Sequence, residues 1–344
     1  MGATPHAAAT LWAARTAANT EAMPASSPLS PSFPPPSSVP RTPTLLRPPQ
    51  RVYRAFFTDS TRWERYRPRW GDIVISTPPK TGTTWTQRIV SVLVLQSTEL
   101  PGRLMEISPW LDFALAPLRT SLATLERQRH RRFLKTHLPM DALPLYRGVS
   151  YLVVGRDPRD SAVSAHHHAL GLGRAAGPPP DAADGDTAPW HPPVPEDPRA
   201  FWRAYFTRSA FPWEGDGWPY NSPTRHLRSW WEHQHEVDVL FVHFQDLLDD
   251  LSGQMRRISA FLDIPVDQTR WPELVAACRF ATMKRQRRRM LAAHLEQTVP
   301  TFDFFHRGTN GRWRPWVGEA ERWVFEAAVR PLPADLRAWL VRAP

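Results

Sequence analysis

The feature that most restricts the fold of this 344-residue chain is one segment in which a buried strand, a glycine-threonine loop and an amphipathic helix follow without a break. Asp72-Ile73-Val74-Ile75-Ser76-Thr77 is the short β-branched run of a strand covered on both faces. Thr77-Pro78-Pro79-Lys80-Thr81-Gly82-Thr83-Thr84-Trp85 forms the loop, and Trp85, Ile89, Val92 and Leu93 share one face of the following helix. Such a junction is an anion cradle. The first helical N–H groups lack intrahelical partners, Gly82 permits a tight backbone, Thr83 and Thr84 add hydroxyl donors, and Lys80 adds a mobile positive charge. It is not a Walker A loop, in which Lys directly follows the last Gly; here Lys80 precedes Gly82 by two positions.

The same unit recurs along the chain. Arg132-Phe133-Leu134 and Tyr151-Leu152-Val153-Val154 read as further strands, and Asp157-Pro158 supplies the N-cap and first turn of a helix expected to run through Val163 to about His168. Val239-Leu240-Phe241-Val242 precedes a helix carrying Leu251, Met255, Ile258 and Leu262. The repetition predicts an α/β fold, a single domain whose central, mostly parallel sheet is flanked by helices. Residues 1–50 read as a disordered tail, with ten Pro between Pro24 and Pro49 and no acidic residue between Glu21 and Asp59. That composition buries too little apolar surface to offset its ordering entropy. Residues 51–344 form the domain, and 171–197, rich in Pro, Gly and Asp, read as an insertion or lid. The single cysteine, Cys278, excludes an internal disulfide framework. No apolar run approaches the ~20 residues of a membrane helix, so no membrane partner is expected. The 43 Lys and Arg against 33 Asp and Glu, a net +10, favour an anionic ligand without saying which.

Three further blocks narrow it. Lys135-Thr136-His137-Leu138-Pro139 follows the second strand, where Lys135 and His137, two apart, face the same side of an extended segment. Arg156-Asp157-Pro158-Arg159-Asp160-Ser161-Ala162-Val163-Ser164 follows the third; an Arg at the strand end and a Ser two turns into the helix can clamp a second phosphate. Phe304-Phe305-His306-Arg307-Gly308, then Gly311-Arg312-Trp313, lies near the C-terminus.

In order and spacing the four blocks resemble the cytosolic sulfotransferase family, whose donor is 3′-phosphoadenosine-5′-phosphosulfate (PAPS). Pro79 through Trp85 match that family's Pro-Lys-Ser/Thr-Gly-Thr-Thr-Trp loop position by position, with Pro78 in place of its usual aromatic. The resemblance spans roughly residues 50 to 340. It implies His137 as general base, Lys80 neutralising charge on the bridging oxygen, and Lys135 assisting. It also implies donor contacts from Lys80, Thr81, Gly82, Thr83, Thr84 and Trp85 at the 5′ side. Arg156, Ser164, His306, Arg307 and Gly308 would hold the 3′-phosphate, and Phe244, Phe280 and Met283, with Trp85, the adenine. His306 stands where the family has Arg, Arg312 where it has Asp, and Phe244 where it usually has Tyr. The implied product is adenosine 3′,5′-bisphosphate (PAP), no metal is called for, the partner is a small, apolar acceptor bearing a hydroxyl or amine, and the location is cytoplasmic.

Two tempting signals are set aside. His166, His167 and His168 are consecutive on a helix and point in different directions, unlike a zinc ligand set. Lys284-Arg285-Gln286-Arg287-Arg288-Arg289 reads as positive potential beside the donor rather than a nucleic-acid patch. A nucleotide-dependent phosphotransferase would need Mg²⁺ and a strand-end carboxylate, and none is strongly placed. A nucleic-acid-binding protein would leave the four ordered blocks unexplained.

Overall fold

The computed structural model describes residues 42–175, 191–291 and 304–342. Its centre is a parallel sheet of β1 (Ile73–Ser76), β2 (Phe133–Thr136), β3 (Ser150–Gly155) and β4 (Val239–His243), in the spatial order β2-β1-β3-β4. Ile75 lies opposite Lys135 on one side and Leu152 on the other, and Gly155 opposite His243. The chain steps from β1 to β2 and then crosses back over β1 to β3. That reversal opens a crevice at the carboxyl ends of the strands, where ligands bind in open parallel sheets.

Both faces of the sheet are buried, so its strands carry near-continuous apolar runs. Alternation assigns Val74, Leu134, Tyr151 and Val153 to one core, and Ile73, Ile75, Phe133, Leu152 and Val154 to the other. The second core receives α1 (Thr83–Leu95), α5 (Leu251–Phe261) and α6 (Trp271–Cys278). The first receives α3 (Pro198–Thr207), α4 (Pro223–Glu232), α8 (Glu319–Val329) and α9 (Ala334–Leu340). α2 (Pro158–Ala175) follows β3, and α7 (Phe280–Arg285) follows α6.

Cap chemistry explains where the helices begin. Asp197 accepts from the Ala200 N–H at 2.7 Å before Pro198 opens α3, and Ser222 accepts from the Arg225 N–H at 2.9 Å before Pro223 opens α4. α1 differs: its N-cap is Gly82, which offers no side-chain hydrogen bond. The helix that borders the crevice therefore keeps its first amides for another acceptor.

Two expectations need correction. α2 runs to Ala175 rather than stopping near His168, so the first residues of the expected insertion are helical. Residues 176–190 of that insertion lie outside the described residues, as do residues 1–41 of the expected tail. Within that tail, Thr44–Arg47 pairs antiparallel with Leu145–Arg147, and the Gln50 and Arg51 amides donate to the Asp141 carbonyl at 2.8 and 3.0 Å. Leu45 and Leu46 contribute the extended segment that Pro-rich composition masked.

Candidate active site

The loop after β1 is built on two left-handed residues, Lys80 (φ 71°) and Gly82 (φ 109°). A Cβ on Gly82 would come within 2.9 Å of the Phe244 ring, so only glycine lets that ring lie against the loop. Arg156, at the end of β3, places its guanidinium 4.2 Å over the same ring. It donates to the Lys80 carbonyl and the Thr309 carbonyl, each at 3.1 Å, and to Asn310 Oδ1 at 2.9 Å. One side chain thus joins the loop to the C-terminal segment.

Three cations converge here with little opposing charge. Burial, then the charges of Arg156 and Lys135, pulls Lys80 down to about 7. Burial brings Lys135 to about 8 against the opposing pull of Asp112, and Arg156 to about 10. Among the described residues burial outweighs the acids near these groups, Asp112 beside Lys135 and Asp157 and Asp160 beside Arg156. The loop's uncapped helix start and this cluster fit a phosphate-bearing ligand.

His137 lies just past β2. Its Nδ1 is 2.8 Å from the Thr77 carbonyl, which can only accept, so Nδ1 carries the proton and Nε2 presents a lone pair. Burial first, then the Lys135 charge, holds its pKa well below 6.5 and keeps the ring neutral. The Asn221 side-chain amide donates to the His137 carbonyl at 2.7 Å, and the Trp110 ring meets the imidazole edge-on at 4.8 Å.

The remaining expected residues divide. Thr84 and Trp85 border the loop half-buried; the Trp85 indole donates to the Cys278 carbonyl at 2.8 Å and meets Phe244 edge-on at 5.4 Å. The hydroxyls of Thr81 and Thr83 are already engaged, with the Pro78 carbonyl and the Thr77 hydroxyl, so Thr81 has its backbone amide to offer. Ser164 is half-buried on α2, Arg307 is exposed, and His306 stacks on His167 with ring centres 4.1 Å apart. Gly308 (φ 66°) lies flat on Phe280, 2.5 Å from where its Cβ would stand. Met283 is a correction: at 2% exposure it is packed into the core with no surface to give a base. Asp160 accepts from the Arg312 amide at 3.2 Å, and Arg159 pairs with Asp157 at 2.6 Å.

Several residues enter that sequence reasoning passed over. Asp112 accepts from the Trp63 and Trp110 indoles at 3.0 and 2.6 Å, fixing the ring on which Lys135 Nζ rests at 4.3 Å. Asn310 ties Arg156 to Gln245. The three histidines on α2 diverge: His166 reaches the Pro195 carbonyl, His167 the His306 ring, and His168 the Tyr220 hydroxyl at 2.8 Å. His168, one helical turn beyond Ser164, was the one the i, i+4 spacing could have flagged.

Residues 71–336 match the sulfotransferase domain. The chain belongs to the sulfotransferase family. It is 34% identical over 315 residues to a glycolipid sulfotransferase of Mycobacterium bovis, covering 84% of this chain and 93% of that one. It is 26% identical over 290 residues to sulfotransferase 1B1 of Canis lupus familiaris, covering 80% and 88%. Its fold is that of retinol dehydratase solved with retinol and PAP, with a TM-score of 0.60 at 20% identity, covering 83% of this chain and 86% of that one. The sulfotransferase is thus an enzyme of sulfuryl transfer on an α/β frame.

Proposed function

We propose that this sulfotransferase moves a sulfuryl group from PAPS to the hydroxyl or amine of a small, apolar acceptor, without a metal. The observation that carries this reading is the convergence of Lys80, Lys135 and Arg156 beside His137 at the carboxyl ends of β1, β2 and β3. Retinol dehydratase, of the same fold, was solved with PAP. When bound, the donor supplies an activated sulfuryl group on its 5′-phosphate.

The chain's own residues supply the rest. The loop amides and Lys80 hold the 5′ side, and Lys80 and Lys135 stabilise charge that develops as the group leaves; each such preorganised donor is worth ~10²–10³ in rate. His137 Nε2 takes the acceptor proton, worth ~10²–10⁴, while the Thr77 carbonyl steadies the proton already on Nδ1. Arg156, Ser164 and Arg307 face the 3′-phosphate, and Trp85, Phe244 and Phe280 the base. Trp110, Phe57 and Tyr220, with ring contacts of 5.5–5.7 Å among them, form an aromatic wall suited to an apolar acceptor. Relatives bear names that include glycolipid sulfotransferase, which agrees with such a wall. A cytoplasmic location, which the resemblance to the cytosolic family implies, is part of the proposal.

Calorimetry with PAP and AMP tests it. A 3′-phosphate gaining several charge-assisted hydrogen bonds, each worth ~1.5–3 kcal/mol, should make PAP bind at least tenfold tighter than AMP. Equal affinities would remove the donor assignment.

A further inference from the structure

Lysine is scarce in this chain. Among its 43 Lys and Arg the lysines are Lys80, Lys135 and Lys284, and the first two lie in the site described above. A guanidinium is a rigid fork that anchors itself through several hydrogen bonds, whereas an ammonium is a compact charge on a flexible stem. A lysine that must aim its charge therefore needs a neighbour to hold it. For Lys135 that neighbour is not a carboxylate. Among the described residues it has no ion pair, and Asp112, the acid whose charge it feels, accepts from an indole on each of its two oxygens.

The neighbour is Trp110. The Lys135 amide donates to the Pro109 carbonyl at 3.0 Å, and Trp110 bridges to Lys135 in parallel, so the two side chains leave the backbone on the same side. The ammonium rests 4.3 Å over the indole face. Phe113 stacks on the indole with ring centres 4.6 Å apart, which leaves one face for the ammonium. Asp112 locks the ring in place: its carboxylate accepts from the Trp110 indole at 2.6 Å and from the Trp63 indole at 3.0 Å, and its carbonyl accepts from the Asp59 amide at 2.9 Å. Asp112 and Trp63 are both buried, so this clamp is part of the core and not of the surface.

We propose that Trp110, clamped by Asp112, is a positioning residue for sulfuryl transfer, its ring face aiming the Lys135 ammonium at the reacting group. This rests on the role given to Lys135 above and deepens it. The imidazole of His137 meets the same ring edge-on at 4.8 Å, so the indole sets the ammonium at a fixed place relative to the base. His137 itself does not depend on the ring, because the Thr77 carbonyl holds its Nδ1–H and Asn221 holds its carbonyl. Lys135 does depend on it. Burial and the like charge of Lys80 oppose its ammonium, His137 beside it is neutral, and only Asp112 and the ring face favour the charged form.

The scarcity of lysine makes the test direct. Isotope-labelled lysine gives side-chain signals from Lys80, Lys135 and Lys284 alone, and Lys135→Met identifies the one that matters. In wild type the Lys135 signal should be displaced by the ring current of Trp110. In Trp110→Phe, whose ring has no N–H for Asp112, the displacement should shrink and the proton affinity of Lys135 should fall about tenfold, within the range of a desolvated cation–π contact. Kinetics with PAPS and naphthol read the consequence. Trp110→Phe should lower kcat about tenfold, change KM for naphthol and affinity for PAP less than about twofold, and cost less than about twofold when added to Lys135→Met. If Trp110→Phe does not fold, Asp112→Asn, which keeps the ring and the shape of its anchor, carries the same comparison. A raised KM with kcat kept would make Trp110 a wall of the acceptor pocket only, and an equal loss of kcat with and without Lys135 would make its role structural; either overturns the clamp, as does an undisplaced Lys135 signal in wild type. Failure of wild type to bind PAP would instead overturn the donor reading.

Discussion

His137 donates a hydrogen bond from Nδ1–H to the Thr77 carbonyl, so Nε2 is the nitrogen that must serve an acceptor, and the ring stays neutral because burial and Lys135 oppose its charging. From this the two catalytic candidates separate. His137→Ala should lower turnover by ~10²–10⁴ and leave PAP affinity close to wild type, since a base on the acceptor side need not touch the spent donor. Lys80→Ala should lower turnover and also weaken PAP, because in the proposed donor site its ammonium faces the 5′-phosphate of donor and product alike. A sulfate-transfer assay on a generic phenol and calorimetry with PAP read both; substantial turnover in His137→Ala would place the base elsewhere. The pH profile has a definite shape. A neutral His137 produces no loss of activity near pH 6.5 on the acid side. Lys80, at about 7 before an anion arrives, loses its charge as pH rises, so the KM for the donor should climb above neutrality.

Between α3 and α4, the segment from Phe211 to Ser222 ties the site to the first core through buried acids. Glu214 accepts from the Ser209 hydroxyl at 2.6 Å and the Ser222 amide at 2.7 Å, and Asp216 accepts from the Ser222 and Thr224 hydroxyls. The same segment carries Tyr220, bound to His168, and Asn221, bound to the His137 carbonyl. Burial pushes the Glu214 carboxyl up to about 7, and among the described residues its second oxygen has no hydrogen-bond partner. A carboxyl raised from ~4.3 is protonated in the native protein while the unfolded chain has released its proton, so stability falls as pH rises from about 4.3 to 7. The group accounts for roughly 3–4 kcal/mol of that fall. Melting temperatures at pH 5 and pH 8 should show Glu214→Gln losing several degrees less than wild type between them; parallel losses would mean that Glu214 is ionised in the fold. None of this segment was legible in the sequence, and the reason is physical. The Lys80 loop, Lys135-Thr136-His137 and the Arg156–Ser164 block owe their geometry to strand and helix spacing, which a sequence displays. Asn221, Asp112 and Asn310 owe theirs to which loops meet after folding. Met283 shows the reverse error, a matching motif position that packing claimed for the core.

For the molecule as a whole, the sheet and its two cores lie between Tyr53 and Leu340, and the question is where the fold begins. Composition read everything up to residue 50 as tail, yet Thr44–Arg47 pairs with Leu145–Arg147, and Arg47 meets Glu236 at 3.1 Å. That pairing is light on apolar burial, because Leu45 and Leu46 are 50% and 39% exposed. Its value lies in backbone hydrogen bonds, each worth about 0.5–1.5 kcal/mol net, and in one partly exposed ion pair worth less than about 1 kcal/mol. Deleting residues 1–41 removes Pro- and Ala-rich sequence with little apolar surface to lose, so melting temperature and PAP affinity should stay near those of the full chain. Deleting residues 1–50 also strips the strand and the Gln50 amide that donates to the Asp141 carbonyl, and should lower the melting temperature by a few degrees. PAP affinity should still hold, because Asp141 keeps its ion pair with Arg225 at 2.6 Å and the donor loop draws nothing from this edge. Differential scanning calorimetry of the two truncations separates the outcomes: equal melting temperatures would make the pairing incidental, and a large drop already at residue 41 would mean that the Pro-rich sequence packs on the domain after all.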